Sequence, residues 1–392
     1  MKKLSKILII TFLLVSSIGL VVFFYFPQFN HTINVVYIEG DTHYELGLDY
    51  GKKCKAQIQY ANTILSEDLI EIDFDELEKY IPDKYIEEME GVAEGAGVSY
   101  EFILWMNAFY DLAFSSGGAC TCFVKAENTA DDCGPILMSN LDMTAQAFLQ
   151  STNIFVVANF KGRRWIGQAF FGMIGFAAMV NDEGLAIAEN TVSSDENDYG
   201  YPHLLAIRQA IDECSNVTEA VNFLTGVNHT AGWNFVLTDK TGQAAAVEDT
   251  SKRSHVRLPG TDDEHNNYMI TTNHFRSDEM REYGPSKKNY ENSYIRFSRA
   301  EHLLATSSDD FTVYDAIQIA RDTYDENLGA THPEGGDTIC RKGNLRSPLK
   351  SGTVNSFIAL PKQEYATFCI GHPDVGHFYA INFKGEIKGP IA

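Results

Sequence analysis

Gly117-Gly118-Ala119-Cys120-Thr121-Cys122-Phe123 is the stretch on which the reading of this chain turns. Three small residues precede a thiol, and a short β-prone run follows it. Ser139-Asn140-Leu141-Asp142-Met143 comes next, placing an acid at the end of the following strand, and Thr271-Thr272-Asn273-His274-Phe275 lies far downstream. A thiol, an acid and a remote amide are components of acyl transfer. No histidine accompanies Cys120 in sequence, so another group must take the thiol's proton. A cut between Ala119 and Cys120 supplies one, because the freed α-amine of Cys120 titrates near ~8 and suits a general base at neutral pH. Nucleophiles activated by their own N-terminal amine are a recognised class. The small flanking residues fit that chemistry, since the scissile peptide must twist and be approached at about 3 Å.

Outward from this stretch, the chain ends set the context. Lys2, Lys3 and Lys6 precede an uncharged run from Ile7 to Phe26, closed by Pro27. Such a run at about 1.5 Å per residue reaches roughly 30 Å, the thickness of a bilayer core. No small-x-small cleavage site follows the aromatic block Phe23–Phe26, which favours an uncleaved signal anchor over a removed signal peptide in residues 1–29. With the lysines inside, residues 30–392 face the extracytoplasmic side. The body is acidic, with 53 Asp and Glu against 31 Lys and Arg. A nucleic acid or an anionic membrane surface would be repelled, so neither is an expected partner of the body. Seven cysteines occur without CxxC or histidine-rich spacing, so no metal site and no cofactor are expected. In an oxidising compartment Cys122 and Cys133 form a feasible pair, with free buried thiols the equal alternative.

The hydropathy pattern predicts a strand near 32–39, helices over 43–69 and 74–97, and a third from Ser99 to about Phe114. From Cys120 the texture turns to strands at about 120–126, 135–142, 153–160, 164–169, 175–180 and 184–189, with turn signals between several of them. Helices at 202–213 and 217–225, a hairpin over 234–249, helices at 292–306 and 312–324, and strands at 353–360, 365–370 and 377–383 complete the pattern. Strands in blocks and helices in pairs indicate an α+β domain of sheets between helical layers. No linker interrupts residues 30–392, which read as one domain: a helical part over 30–119 and a β-rich part from Cys120.

Seven segments, in order, carry a family likeness. They are Glu39 to Gly47 with Tyr50-Gly51, Cys120-Thr121-Cys122-Phe123, Asn140-Leu141-Asp142, Gly184 to Asn190, Thr272-Asn273-His274-Phe275, Ile339-Cys340-Arg341 after His332, and Gly371-His372-Pro373. In this the chain resembles the acyl-coenzyme A:6-aminopenicillanic acid acyltransferase family, the isopenicillin-N acyltransferase-like group of N-terminal-nucleophile (Ntn) hydrolases. Choloylglycine hydrolases and acid ceramidase are more distant relatives. The resemblance implies a four-layer αββα sandwich and a self-processing precursor whose two fragments stay associated. It also implies a small-molecule acyl amide or acyl thioester as substrate. The chain departs from the family pattern at Ala119, where glycine is common, at Ser139, where arginine or glutamine often stands, at Met143, where an aromatic is usual, and at Lys342, in place of a histidine.

Roles follow for named residues. Cys120 is the nucleophile, Asp142 orients the new amine, and Asn273 with Asn190 donates to the tetrahedral oxyanion, where one donor is typically worth roughly 3–4 kcal/mol. Ser139, Asn140, Met143 and, by resemblance, Arg296 shape the pocket. A surface carboxylate, turn asparagines and a solvated helix arginine are the plain structural alternatives. Cys122 is the rival nucleophile. His274 and His372 would be needed for the alternative of a conventional Cys-His peptidase, and a membrane-anchored binding protein without activity is the third class.

Overall fold

Lys161-Gly162 shows how local chemistry builds this fold. Both residues take positive φ, 53° and 90°, the conformation of a two-residue hairpin turn. The turn joins β4 (Asn153–Phe160) to β5 (Arg163–Phe170) in antiparallel register, Phe160 opposite Arg163. The computed structural model describes residues 34–65, 73–113, 119–126, 133–144, 150, 152–261, 264–332, 336–342 and 351–392. The expected anchor in residues 1–29 lies outside these, and no described helix is long and apolar enough to cross a membrane.

Val35–Ala392 forms one compact unit. Its strands are β1 (Val35–Gly40), β2 (Thr121–Lys125), β3 (Ile136–Met143), β4, β5, β6 (Ala178–Asn181), β7 (Leu185–Val192), β8 (Gly232–Asp239), β9 (Ala244–Asp249), β10 (Ser254–Arg257), β11 (Tyr268–Thr271), β12 (Tyr324–Asp325), β13 (Ala330–Thr331), β14 (Gly352–Leu360), β15 (Tyr365–Ile370), β16 (Tyr379–Asn382) and β17 (Ile387–Lys388). They form an eight-stranded sheet, β1-β4-β5-β6-β7-β8-β9-β10, a seven-stranded sheet, β11-β2-β3-β14-β15-β16-β17, and the small β12-β13 pair. The large sheets meet face to face: the Phe155 ring of β4 lies 4.2 Å from that of Phe368 on β15, centroid to centroid. Central strand β14 is buried at every position, as expected where both faces of a sheet are covered.

The helices are α1 (His43–Lys53), α2 (Lys55–Ile64), α3 (Phe74–Glu78), α4 (Asp83–Ala96), α5 (Tyr100–Ala113), α6 (His203–Glu213), α7 (Val217–Leu224), α8 (Glu291–Ala305) and α9 (Val313–Ala320). Helices α6 and α7 pack on the eight-stranded sheet, α8 and α9 on the seven-stranded one. Layers therefore run helix, sheet, sheet, helix. The expected 43–69 helix is two helices, broken at Cys54, and the expected 74–97 helix breaks before α4, whose N-cap is Pro82. The helix expected to reach 324 stops at Ala320, with Arg321 as its cap, because Tyr324–Asp325 is drawn into the β12-β13 pair.

All seven cysteines are free and buried, so of the two alternatives for Cys122 and Cys133 the structure holds buried thiols and not the disulfide. Cys122 lies opposite Ser139 in the β2–β3 ladder. Cys133 comes six residues before Ser139 in sequence, roughly 20 Å away at strand rise and beyond disulfide reach.

Helix α1 starts with a capping box, Thr42 and Glu45 satisfying each other's backbone amides. It crosses α4 at glycines on both sides, Gly47 and Gly51 against Gly91 and Gly95. A Cβ on Gly47 would sit 1.9 Å from the Glu88 carbonyl oxygen, and one on Gly91 would sit 2.2 Å from that of Tyr44. No side chain fits, so the backbones themselves make the contact. Glu88, beside the crossing, receives Arg208 from α6 at 2.8 and 3.1 Å, tying the α1–α4 pair to α6. We expect Gly47→Ala to cost about 3 kcal/mol in chemical denaturation, the upper range for overpacking a tight core. Gly162→Ala, with open space around it but φ at 90°, should cost about 1 kcal/mol. Equal losses would show that the crossing is not the constraint.

Candidate active site

Cys120 stands just before β2 and is buried, as is Ala119 before it. Its place is fixed from α8. The Arg296 guanidinium donates to the Cys120 carbonyl, to Thr121 Oγ1 at 2.9 Å, to Asn273 Oδ1 at 2.7 Å and to Asn292 Oδ1 at 3.2 Å. Burial pushes the Cys120 thiol well up, the negative charges of Glu189 and Asp142 add to this, and a hydrogen bond from the Asp142 backbone opposes it. The thiol is thus held protonated and needs a proton acceptor to react.

Asp142 reaches the site from β3, its side chain fully buried. Thr353 Oγ1 donates to its Oδ1 at 2.6 Å and itself accepts from the Arg341 backbone amide at 2.9 Å. Its Oδ2 has no hydrogen-bond partner. Burial raises the Asp142 carboxyl to about 7, against the pull of Arg341 and Arg296. A second acid, Glu189 on β7, is likewise raised by burial to about 7, and its Oε2 is also unpartnered.

The two asparagines are brought together through β8. Asn190 lies opposite Asn234 in the β7–β8 ladder. Asn234 Nδ2 donates to the carbonyls of Thr272 and His274, at 2.8 and 3.0 Å, and so holds the residues on both sides of Asn273. Asn273 Nδ2 donates to the Thr191 carbonyl at 2.8 Å, and Asn190 Nδ2 to Cys122 Sγ at 3.4 Å. An amide nitrogen carries two hydrogens, so each has one beyond the bond named.

Of the other predicted site residues, Ser139 is buried 3.3 Å from Cys122 Sγ, and Met143 packs half-buried against the larger core. Asn140 is turned to the helical layer, its Nδ2 donating to the Ala320 and Ile339 carbonyls at 2.9 and 3.1 Å. Cys122 is raised to about 12 by burial and lies among Ser139, Asn190 and the Glu189 carbonyl. His274 stacks on Tyr294 at 3.7 Å, its Nδ1 lies 2.8 Å from Ser293 Oγ, and burial with nearby arginines lowers it to about 3. It is built into the loop rather than poised to accept a proton from a thiol. His372 is also lowered by burial. Among the described residues no group of three His, Cys, Asp or Glu is arranged to hold a metal ion.

Sequence reading missed Glu189. With Leu141, Gln168, Phe170, Met173 and His203 it lines a pocket between sheet and helix. Alternation in β7 was the available signal, since it puts Glu189 and Asn190 on opposite faces of a strand buried on both.

The model of the family "acyl-coenzyme A:6-aminopenicillanic acid acyl-transferase" matches residues 128–374. The chain belongs to that family. The match begins downstream of Cys120 and takes in Asp142, Asn190, Asn273 and Arg296. An uncharacterized protein of Archaeoglobus fulgidus is 26% identical over 207 residues, 46% of this chain and 34% of the relative; the chain thus spans about a third of that relative's length. Solved structures with a similar chain course include a Caenorhabditis elegans ortholog of N-acylethanolamine-hydrolyzing acid amidase, at TM-score 0.42 and 15% identity, covering 62% of this chain and 93% of that one. A mutant conjugated bile acid hydrolase from Clostridium perfringens gives 0.40 and 14%, covering 69% and 95%. Penicillin V acylase from Agrobacterium tumefaciens gives 0.44 and 14%, covering 68% and 86%.

For this acyl-transferase family member the raised acid gives a pH test. A carboxyl whose folded pKa lies above its unfolded value favours the folded state fully at pH below the unfolded value, and that advantage is lost as pH rises through the folded one. For Asp142 the window runs from 3.8 to about 7, a difference worth up to about 4 kcal/mol. In a Cys120→Ala background, Asp142→Asn should therefore raise the melting temperature at pH 8 and leave it nearly unchanged at pH 4. An equal shift at both pH values would contradict the assignment.

Proposed function

We propose that the chain is a self-processing cysteine amidohydrolase or acyltransferase acting on a small acyl amide or thioester. The observation that carries the reading is the Asp142 carboxyl, buried beside Cys120 with one oxygen unpartnered. A new ammonium on Cys120 would satisfy that oxygen and offset the cost of ionising it.

In the first step the Cys120 sulfur bonds to the Ala119 carbonyl carbon while the Ala119–Cys120 C–N bond breaks, and the thiol proton ends on the departing nitrogen. Water then opens the thioester, leaving a carboxyl on Ala119 and a free thiol and amine on Cys120. In turnover, the amine takes the thiol proton as sulfur attacks the substrate carbonyl. Asn273 and Asn190 each offer one N–H to the oxyanion. The amine returns the proton to the leaving nitrogen, or to a leaving thiolate, and water or an acceptor amine releases the acyl group from sulfur. Arg296 keeps Cys120 and Asn273 in register throughout. Strand β1, ahead of the cut, pairs with β4 behind it, which supports fragments that stay together. The N-terminal apolar run supports an extracytoplasmic, membrane-anchored setting.

A denaturing gel tests this directly. Wild type should give pieces of 119 residues (1–119) and 273 residues (120–392), the larger beginning Cys-Thr-Cys-Phe on N-terminal sequencing. Cys120→Ala should stay whole and lose acyl-amide hydrolysis by at least a thousandfold. An intact wild type whose hydrolysis still needs Cys120 would point instead to a peptidase-like thiol enzyme.

A further inference from the structure

Cys122 takes no part in the steps above. It follows Cys120 by two residues, one strand repeat of roughly 6.6 Å, and it is fully buried. Burial raises its thiol to about 12, so the group stays protonated and acts as a hydrogen-bonding centre rather than a nucleophile. Its sulfur lies 3.3 Å from Ser139 Oγ, 3.4 Å from the Glu189 carbonyl oxygen and 3.4 Å from Asn190 Nδ2. A carbonyl can only accept, so the single thiol hydrogen goes to Glu189, while the Ser139 hydroxyl and the Asn190 amide donate to the sulfur. Cys122 and Ser139 belong to the seven-stranded sheet, Glu189 and Asn190 to the eight-stranded one. The thiol therefore bridges the two sheets.

The two asparagines assigned to the oxyanion are held differently. Asn273 is fixed at both ends of its amide, accepting from Arg296 at 2.7 Å and donating to the Thr191 carbonyl at 2.8 Å. Asn190 is buried as well, but its Oδ1 has no partner. Among the described residues, Cys122 is the one hydrogen-bond partner of its amide. The last torsion of an asparagine is soft, so without that sulfur little would fix the direction of the Asn190 N–H groups.

Resting on the acyl-transfer reading above, we infer that Cys122 is a positioning residue for that reaction, its sulfur aiming the Asn190 amide toward the carbonyl that Cys120 attacks. The attacking thiol and the aiming thiol sit on one strand segment. Their bond to Asn190 thus ties an oxyanion donor of one sheet to the nucleophile of the other at a fixed offset. A donor aimed in advance needs no reorganisation when charge develops on the carbonyl oxygen. Serine at position 122 would keep a donor and an acceptor, and alanine would keep neither.

The probes are p-nitroanilides of straight-chain acids of two to eight carbons, with rates referred to the cleaved fraction on a denaturing gel. For the best of them, Asn190→Ala should lower kcat roughly a hundredfold, the usual loss for one oxyanion donor. Cys122→Ala should lower kcat about tenfold or more with KM changed less than about threefold, the mark of an interaction made only in the transition state. The double variant should be no slower than Asn190→Ala alone, because the one residue acts through the other. Cys122→Ser should recover to within about fivefold of wild type, since it restores both hydrogen-bonding roles. In crystals of Cys122→Ala the Asn190 amide should have rotated from its direction in wild-type crystals. Additive losses in the double variant, a Cys122→Ala effect confined to KM or to melting temperature, or an unmoved Asn190 amide would overturn the inference; if wild type still hydrolyses an anilide, the acyl-transfer reading survives that result. No turnover of any anilide, together with a rotated amide in Cys122→Ala, would sink the acyl-transfer reading and keep the assignment of Cys122 as the group that orients Asn190.

Discussion

A guanidinium buried with only neutral oxygens for hydrogen-bond partners governs this site. Arg296 joins three parts of the chain, the start of β2, the loop after β11 and its own helix α8, through the Cys120 carbonyl, Thr121, Asn273 and Asn292. Burying a charge is costly unless something offsets it. The opposing charge is Asp142, close enough for the two to attract, though the two side chains form no ion pair. Burial prevails over that attraction on both sides, lowering Arg296 and raising Asp142. Arg296 and Asp142 are therefore held in a costly arrangement, of the kind that clusters at functional sites.

The rest of the architecture makes that arrangement tolerable. Asp142 accepts from the Thr353 hydroxyl, which itself accepts from the Arg341 backbone amide, while Asn234 grips the turn that bears Asn273. These contacts join strands distant in sequence, so the site exists only once both sheets are stacked. The glycine crossing of α1 and α4 lies outside that stack, and Arg208 links it to α6, whose first residue, His203, reaches the pocket.

Much of this was legible in the sequence. Hairpins marked by Lys161-Gly162 or by Asp239 to Gly242 were read with correct partners, because turn chemistry is local. Cys120, Asp142, Asn190, Asn273 and Arg296 stood out as a parts list; Arg296 joins Cys120 to Asn273 by hydrogen bonds, while Asp142 is held by Thr353 and Asn190 by Cys122. Less was legible where distant contacts decide. The break at Cys54 has no proline or glycine to announce it, and the end of α9 depends on the pairing of Tyr324–Asp325. Strand β10 is short and half-exposed, without the alternation that betrays a longer strand. Asn140 was read toward the substrate because of its neighbours, whereas the pleat sends it to the α9 carbonyl. Glu189 was passed over because a glutamate in a strand ordinarily faces water, and only the helical layer covering β7 shows otherwise.

Strand β1 supplies the outer edge of the eight-stranded sheet, in parallel with β4, from a part of the chain that precedes the thiol. An uncovered β4 would present a row of amides and carbonyls to any passing strand, the standard route to intermolecular stacking. The leading segment thus serves as a built-in guard against self-association. Were the backbone severed at Ala119, a molecule that melted would have to recapture its guard by diffusion, and recovery from denaturation would become a second-order event.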